Sequence, residues 1–313
     1  MSLYLGLDTS NYTTSCALYD SETHSIRQQK KLLPVKPGEK GLRQSDAVFH
    51  HTVQLPDLLE ALTLPESLSG IGVSVRPRNA EGSYMPCFLV GEGTARALGA
   101  AYHVPVYRTS HQTGHILAAL YSAGQLHLRN PTFLAFHVSG GTTDCVLCEP
   151  DAGEMLHITP VSGSLDLKAG QVIDRVGLML GLRFPCGMEL EQLAMQSTLK
   201  PKYKPTMRGA DCCLSGLENQ CKTLLDKGTS REDTARFCLL AVASVLTEMT
   251  RAALSLHGEM PVLYAGGVMS DKLIRERLEG ENRYFAEPQF SCDNAAGTAV
   301  YAALAANDMR ESF

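Results

Sequence analysis

The chain has 313 residues, 44% of them apolar, and a formal net charge of −5 from 28 Lys and Arg against 33 Asp and Glu. That length suits one large domain or two of ordinary size. The mild acidity excludes a free-standing nucleic-acid binder that works through a basic face, though not a nucleic-acid substrate presented by a basic partner. No uninterrupted apolar stretch approaches about 18 residues, so no membrane-spanning helix is expected. The first residues, Met1 to Asp8, lack a basic region and reach a carboxylate early, so no signal peptide is expected and the cytosol is the default compartment. The ten Cys are then expected to be free thiols, most of them small core residues. Cys145 and Cys148 fall in a strand pattern, where residues three apart point to opposite faces and form no chelate.

Tyr4 to Asp8 reads as a buried strand ending on a carboxylate. Asp8, Thr9 and Ser10 enter a polar turn whose hydroxyls and N–H groups could receive a phosphate, or which is an ordinary β-turn. Thr13 to Tyr19 and Ser25 to Leu33 are returning strands. Ala47 to Thr63 reads as a helix with Leu55, Leu58, Leu59 and Leu62 on one face, and Pro56 predicts a kink or break near Leu55. A strand at 70–75 and a loop at 76–86 follow. A small-residue helix at 88–102 and a strand at 104–108 lead to a helix at 111–122. His111 and His115 lie four apart in that last helix, on one face, where two imidazoles can reach one metal ion.

The next segment repeats the opening pattern. Phe133 to Ser139 is a strand, Gly140-Gly141-Thr142-Thr143 a turn, and Asp144 to Glu149 a returning strand, which suggests two related halves. The two glycines let backbone approach an anion closely, so this is the stronger phosphate turn. A helix at 167–182 carries Gly170 and Asp174, and Phe184 to Gly187 is a turn leading to a helix at 190–197. Lys200 to Arg208 is a basic, Pro-punctuated loop, a candidate for contact with a phosphate backbone or a merely solvated loop. Helices at 217–225 and 231–257 precede a strand at 261–265. The Gly266-Gly267 junction into a helix from Ser270 is a further anion or nucleotide contact. Asp293 sits where an N-cap would, before a small-residue helix at 295–306.

Taken in order, Asp8-Thr9-Ser10, His111-x-x-x-His115, Val138 to Thr143, Gly170-x-x-x-Asp174, Pro185-Cys186-Gly187, Ser215-Gly216-Leu217, Ala265 to Val268 and Asp293-Asn294 resemble the TsaD (Gcp) family from about Tyr4 to about Ala306. The resemblance implies an α/β chain with the two-lobed fold of actin, sugar kinases and heat-shock chaperones and a nucleotide cleft between the lobes. The expected N-terminal lobe is 1–109, with 294–313 packing back on it, and the expected C-terminal lobe is 110–293. The implied reaction transfers a threonylcarbamoyl group from threonylcarbamoyl-AMP to an adenosine of tRNA next to the anticodon. By position, His111, His115 and Asp293 match the ligands of one divalent metal ion, iron or zinc. His137, Val138, Ser139, Gly140, Gly141, Asp174, Gly187, Gly266, Gly267 and Asp271 match contacts to an adenylate donor or an ATP/ADP-type nucleotide. The implied partners are tRNA as substrate and other proteins of the threonylcarbamoyl pathway, including a heterodimer, with no membrane.

The chain departs from the family pattern at several positions. Asp8 stands for a Glu, Tyr12 and Thr13 for an acidic pair implicated in catalysis, and Thr113 for the Glu of the His motif. Thr142 replaces a His, Cys186 a Gly and Asp271 an Asn, and 76–84 lacks a Gly-Pro-Gly loop. No catalytic side chain is assigned. Two other readings follow: a carbamoyl or acyl transferase acting on a small molecule, and a non-catalytic nucleotide-binding partner of the true synthase. Kinase activity lacks a general base beside the phosphate turn. Proteolysis lacks the Glu of H-E-x-x-H.

Overall fold

The computed structural model describes residues 2–10, 12–34, 42–291 and 295–311. The chain forms two compact units. The first comprises Met1–Leu126, Pro150–His157 and Gln289–Phe313, the second His127–Glu149 and Ile158–Pro288. The segment 110–126, expected in the C-terminal lobe, therefore groups with the first unit.

The first unit holds a five-stranded sheet. Strands β1 (Leu3–Ser10), β2 (Thr13–Asp20) and β3 (Ser25–Leu32) form an antiparallel meander, and β4 (Gly70–Arg76) and β5 (Val106–Ser110) add in parallel, giving the order β3-β2-β1-β4-β5. The central strand is apolar on both sides because helices cover both faces. Leu5 and Leu7 pack with Leu55, Leu58 and Leu62 of α1 (Gln44–Leu62) and with Ala95 of α2 (Phe88–Tyr102). Tyr4 packs against Ala118 of α3 (His111–Ser122) and a row of alanines, Ala299 to Ala306, from the last helix. Helix α1 continues through Pro56 without the expected break. Pro56 is on the exposed side, so the Thr52 carbonyl that loses its N–H partner is open to water.

The second unit repeats that topology, with the turn end of one hairpin, Pro150–His157, grouping with the first unit. Strands β6 (Phe133–Val138), β7 (Thr143–Asp151) and β8 (Met155–Gly163) precede β11 (Val262–Ala265) and β12 (Arg283–Phe285), in the order β12-β11-β6-β7-β8. This is the first order again: a central strand, two returning strands on one side and two parallel strands on the other. The sequence reading misses the meander strand β8, three of whose nine residues are buried. It misses β12 as well, whose three residues are too few for a period. Helices α4 (Ala169–Met179), α5 (Gly187–Ala194) and α6 (Ser215–Asp226) follow, with a short ribbon of β9 (Thr206–Arg208) and β10 (Asp211–Cys213) between α5 and α6. Then come α7 (Arg231–His257) and α8 (Lys272–Leu278). The last helix, α9 (Ala296–Glu311), returns to the first unit.

Helix α7 is long and apolar enough to cross a membrane, although no uninterrupted apolar run in it reaches that length. Its apolar residues are buried from Phe237 to Leu254 in the core of the second unit, against α4, α5, α6 and α8. The nine described Cys are free, and all but Cys213 are buried. Burial pushes the Cys16 thiol up to about 12 and that of Cys212 up to about 11, so neither is a ready nucleophile.

Candidate functional site

In the first unit the carboxyl ends of the parallel strands β1, β4 and β5 carry Asp8–Ser10, Arg76 and Ser110. This is the end of an open α/β sheet at which ligands bind. The chain passes from Ser110 straight into α3, and Ser110 caps that helix by accepting the Thr113 N–H at 3.1 Å. His111 is thereby the first helical residue and His115 lies one turn on. Their Nε2 atoms stand 2.9 Å apart, with the rings perpendicular. Two imidazole nitrogens bound cis to one ion, each at roughly 2.0–2.1 Å, lie about 3 Å apart, so the pair suits a shared cation. Asp293, expected as third ligand, lies outside the described residues. Among the described residues no set of three or more His, Cys, Asp or Glu side chains could hold a metal ion.

Asp8, Thr9 and Ser10 do not form the expected open phosphate turn. Strand β1 runs through all three, and each is at most 3% exposed. The Thr9 hydroxyl donates to the Cys87 carbonyl at 3.0 Å and accepts the Gly91 N–H at 3.1 Å, which ties β1 to α2. Asp8 accepts the Ser10 N–H at Oδ1 (2.8 Å), and its Oδ2 lies 2.6 Å from His111 Nδ1. A buried carboxylate there would repel a phosphate.

Sequence reasoning missed a buried histidine nearby. His51 of α1 is fully buried, with Nδ1 2.8 Å from the Thr14 hydroxyl. That hydroxyl donates to Gln54 Oε1, also at 2.8 Å, so it accepts from His51 Nδ1–H. His51 Nε2 has no partner among the described residues. Burial pulls the His51 pKa down to about 4. The helical period does not distinguish an imidazole on the apolar stripe of α1 from any other core side chain.

A cavity of about 340 Å³ lies within the first unit, lined by Arg76, Asn79, Glu81, Asp151, Glu154 and His157 among others. Arg76 spans it, bonding Glu154 at 2.6 Å and Asn79 at 3.3 Å. Asn79 in turn donates to Thr113 at 3.3 Å, joining the loop at 76–86 to α3.

In the second unit the Gly140–Gly141 turn is exposed at the end of β6. Its shape is held from inside. Ser139 Oγ accepts the N–H groups of Gly141 (3.3 Å) and Thr142 (3.1 Å), and the Ser139 carbonyl accepts that of Gly170 at 3.2 Å. Gly170, near the N-terminus of α4, packs so closely that a Cβ would lie 2.6 Å from the Gly140 nitrogen. Gly266 adopts φ +104° directly against Val138, where a side chain would meet backbone. The Gly140–Gly141 turn, the start of α4 and the Gly266–Gly267 junction thus converge on the end of β6. His137 pairs with Ala265 and with Asp144 across the same strand end.

The other expected nucleotide residues have structural partners. Asp174 accepts the Cys186 N–H at 2.8 Å and so holds the turn that starts α5 at Gly187. Asp271 caps α8 by accepting the Ile274 N–H at 3.0 Å, is 8% exposed, and has its pKa pushed up to about 6 by burial. Lys168, not singled out in the sequence, begins α4 and places its ammonium on the Ser164 carbonyl at 2.9 Å, 3.8 Å from Asp144.

The chain is similar to several solved structures. Component A of the Acidaminococcus fermentans (R)-2-hydroxyglutaryl-CoA dehydratase shares 17% identity over 98% of this chain and 100% of that one, with a TM-score of 0.54. The activator of the 2-hydroxyisocaproyl-CoA dehydratase from Clostridium difficile, with bound ADPNP, shares 13% over 99% and 98%, also at 0.54. Full-length HypF in a phosphate- and nucleotide-bound form shares 12% over 98% of this chain and 55% of that one, at 0.60. At such identities the likeness establishes the fold alone, an α/β chain of two units. The family described as TsaD, tRNA N6-adenosine threonylcarbamoyltransferase, matches residues 35–300. That span covers most of the chain and includes both the histidine pair and the diglycine turns, and the protein belongs to the TsaD family.

Proposed function

We propose that the protein transfers a threonylcarbamoyl group from its adenylate to adenosine of tRNA, with a divalent cation held at His111 and His115. The observation that carries this reading is the Nε2 pair, 2.9 Å apart at the carboxyl end of the first sheet, in a chain of this transferase family. Asp293 is the expected third ligand. A cation bound there would act as a Lewis acid toward the oxygens of a mixed anhydride.

The protein's own residues bind and position. The backbone of Ser139 to Gly141, the first turn of α4 and Gly266–Gly267 receive the adenylate phosphate, and Asp174 and Gly187 border the nucleoside. The acceptor amine is a weak nucleophile, so orientation lowers the barrier more than a protein base would. Lys200, Lys202, Lys204 and Arg208 offer the RNA backbone a row of positive charge. The direct assay incubates the metal-loaded chain with threonylcarbamoyl-AMP, unmodified tRNA and the partner proteins of the pathway. The modified nucleoside is read by mass spectrometry after digestion. No product, beside a family member active under the same conditions, rejects the reading.

One observation favours a second reading, carbamoyl or acyl transfer to a small molecule. The cavity beside Arg76 has the volume of a small-ligand site, and it is built by the segment that departs from the family's Gly-Pro-Gly loop. That reading expects AMP release stimulated by a metabolite and indifferent to tRNA.

A further inference from the structure

We infer that Asp8 is the residue that aims His111: its carboxylate holds the imidazole as the Nδ1–H tautomer, so that Nε2 presents the lone pair to the cation. The inference rests on the metal reading of His111 and His115 proposed above and gives Asp8 a role in place of the phosphate contact.

Both oxygens of Asp8 are accounted for. Oδ1 accepts the Ser10 N–H at 2.8 Å, which locks the carboxylate relative to its own strand. Oδ2 lies 2.6 Å from His111 Nδ1. A carboxylate only accepts, so Nδ1 carries the hydrogen. The remaining ring nitrogen, Nε2, is the one that stands 2.9 Å from His115 Nε2. The Asp8 side chain is 2% exposed and that of His111 19%, so the carboxylate is buried while part of the imidazole stays open to solvent. The backbone is fixed at both ends, Asp8 within β1 and His111 at the capped start of α3. A carboxylate behind a ligating histidine in this way sets its tautomer, its orientation and its basicity. Asp8 is a positioning residue: it acts through His111.

The test uses the full-length chain, with histidines labelled with 15N and metal removed by a chelator. Long-range proton–nitrogen correlation reads the tautomer of each imidazole, and His111→Gln and His115→Gln assign the signals. The expected result is the Nδ1–H form at His111 in the wild type and a shift toward the Nε2–H form in Asp8→Ala. Zinc affinity is measured in parallel by competition with a chromophoric chelator. Asp8→Ala and Asp8→Asn are expected to bind zinc about 10- to 100-fold more weakly, while His115→Gln loses the site. Asp8→Asn, nearly isosteric, supplies the affinity result if Asp8→Ala does not fold. An Nε2–H tautomer at His111 in the wild type, or wild-type zinc affinity in both Asp8 variants, overturns the inference. A wild type that binds no zinc overturns the metal reading and the aiming role with it, even where the tautomer is as expected.

Discussion

His51 and Asp271 are buried ionisable residues displaced in opposite senses, and each makes a measurable claim. Burial lowers His51 to about 4. The unfolded chain then holds the proton between about pH 6.5 and pH 4 while the folded chain does not. The stability contributed by a neutral His51 is therefore present above pH 6.5 and is lost as pH falls toward 4, up to about 3 kcal/mol. Asp271 is raised to about 6. Its contribution is full below its unfolded value near 4 and is lost as pH rises through 6, again up to about 3 kcal/mol. Asn caps a helix as well as Asp does. Asp271→Asn is accordingly expected to stabilise the protein at pH 7, by up to about 3 kcal/mol, and to change little at pH 4. Urea unfolding at the two pH values measures both arms, and equal stability of variant and wild type at pH 7 would refute the assignment. His51→Gln should lack the loss that His51 contributes between pH 6.5 and 4, read as the difference between variant and wild-type unfolding curves.

The Gly140–Gly141 turn and the start of α4 form one piece of backbone, so its function is tested by crowding it. A methyl group at Gly170 would press on the Gly140 amide and push the turn outward. Gly170→Ala is expected to weaken binding of AMP or ADP at least tenfold by calorimetry while leaving zinc affinity unchanged, because His111 and His115 belong to the other unit. Unaltered nucleotide affinity would remove the turn from the site. The segment 200–208 is a second testable element. Along it Lys202, Lys204 and Arg208 are exposed, while Tyr203 turns inward onto Phe237 with ring centroids 6.0 Å apart. Residues two apart in extended chain repeat at roughly 6.6 Å, a step comparable with that of successive phosphates. Lys202→Gln with Lys204→Gln should weaken tRNA binding and lower the slope of log affinity against log salt by roughly 0.7 to 0.9 for each phosphate no longer neutralised. A slope unchanged from wild type would mean a merely solvated loop.

Over the whole molecule, the two displaced groups lie in different units, His51 in the first and Asp271 in the second. Acid therefore weakens the first unit and strengthens the second. Scanning calorimetry at pH 7 and pH 4.5 should show the heat absorption splitting or broadening as the pH falls, and replacing His51 by Gln should restore a narrower transition. A single sharp transition at both pH values would show that the units unfold together. The repeated topology bears on the same point: each sheet has its own helices and its own core, so each has the means to fold as a unit.

Periodicity alone located most of the elements. The helix at 111–122 was legible to the residue, because a Ser cap precedes it and apolar positions recur along it. The central strands were legible because burial on both faces leaves an unbroken apolar run. Partial burial by itself did not hide a strand: β3, with no buried residue, was legible, while β8 was not. The diglycine pairs were legible as turns from composition, and at Gly266 the conformation requires glycine, with φ +104° directly against Val138. The spacing of His111 and His115 placed both on one helical face, since that follows from the period of the helix. The pairing of Asp8 with His111, 103 residues apart, came only from the tertiary structure, as did the burial of His51 and the use of Thr9 to tie β1 to α2. Local chemistry sets turns, caps and periods over a few residues. Which side chain stands behind an imidazole depends on the order in which strands enter a sheet, and that order is fixed by packing across the whole unit.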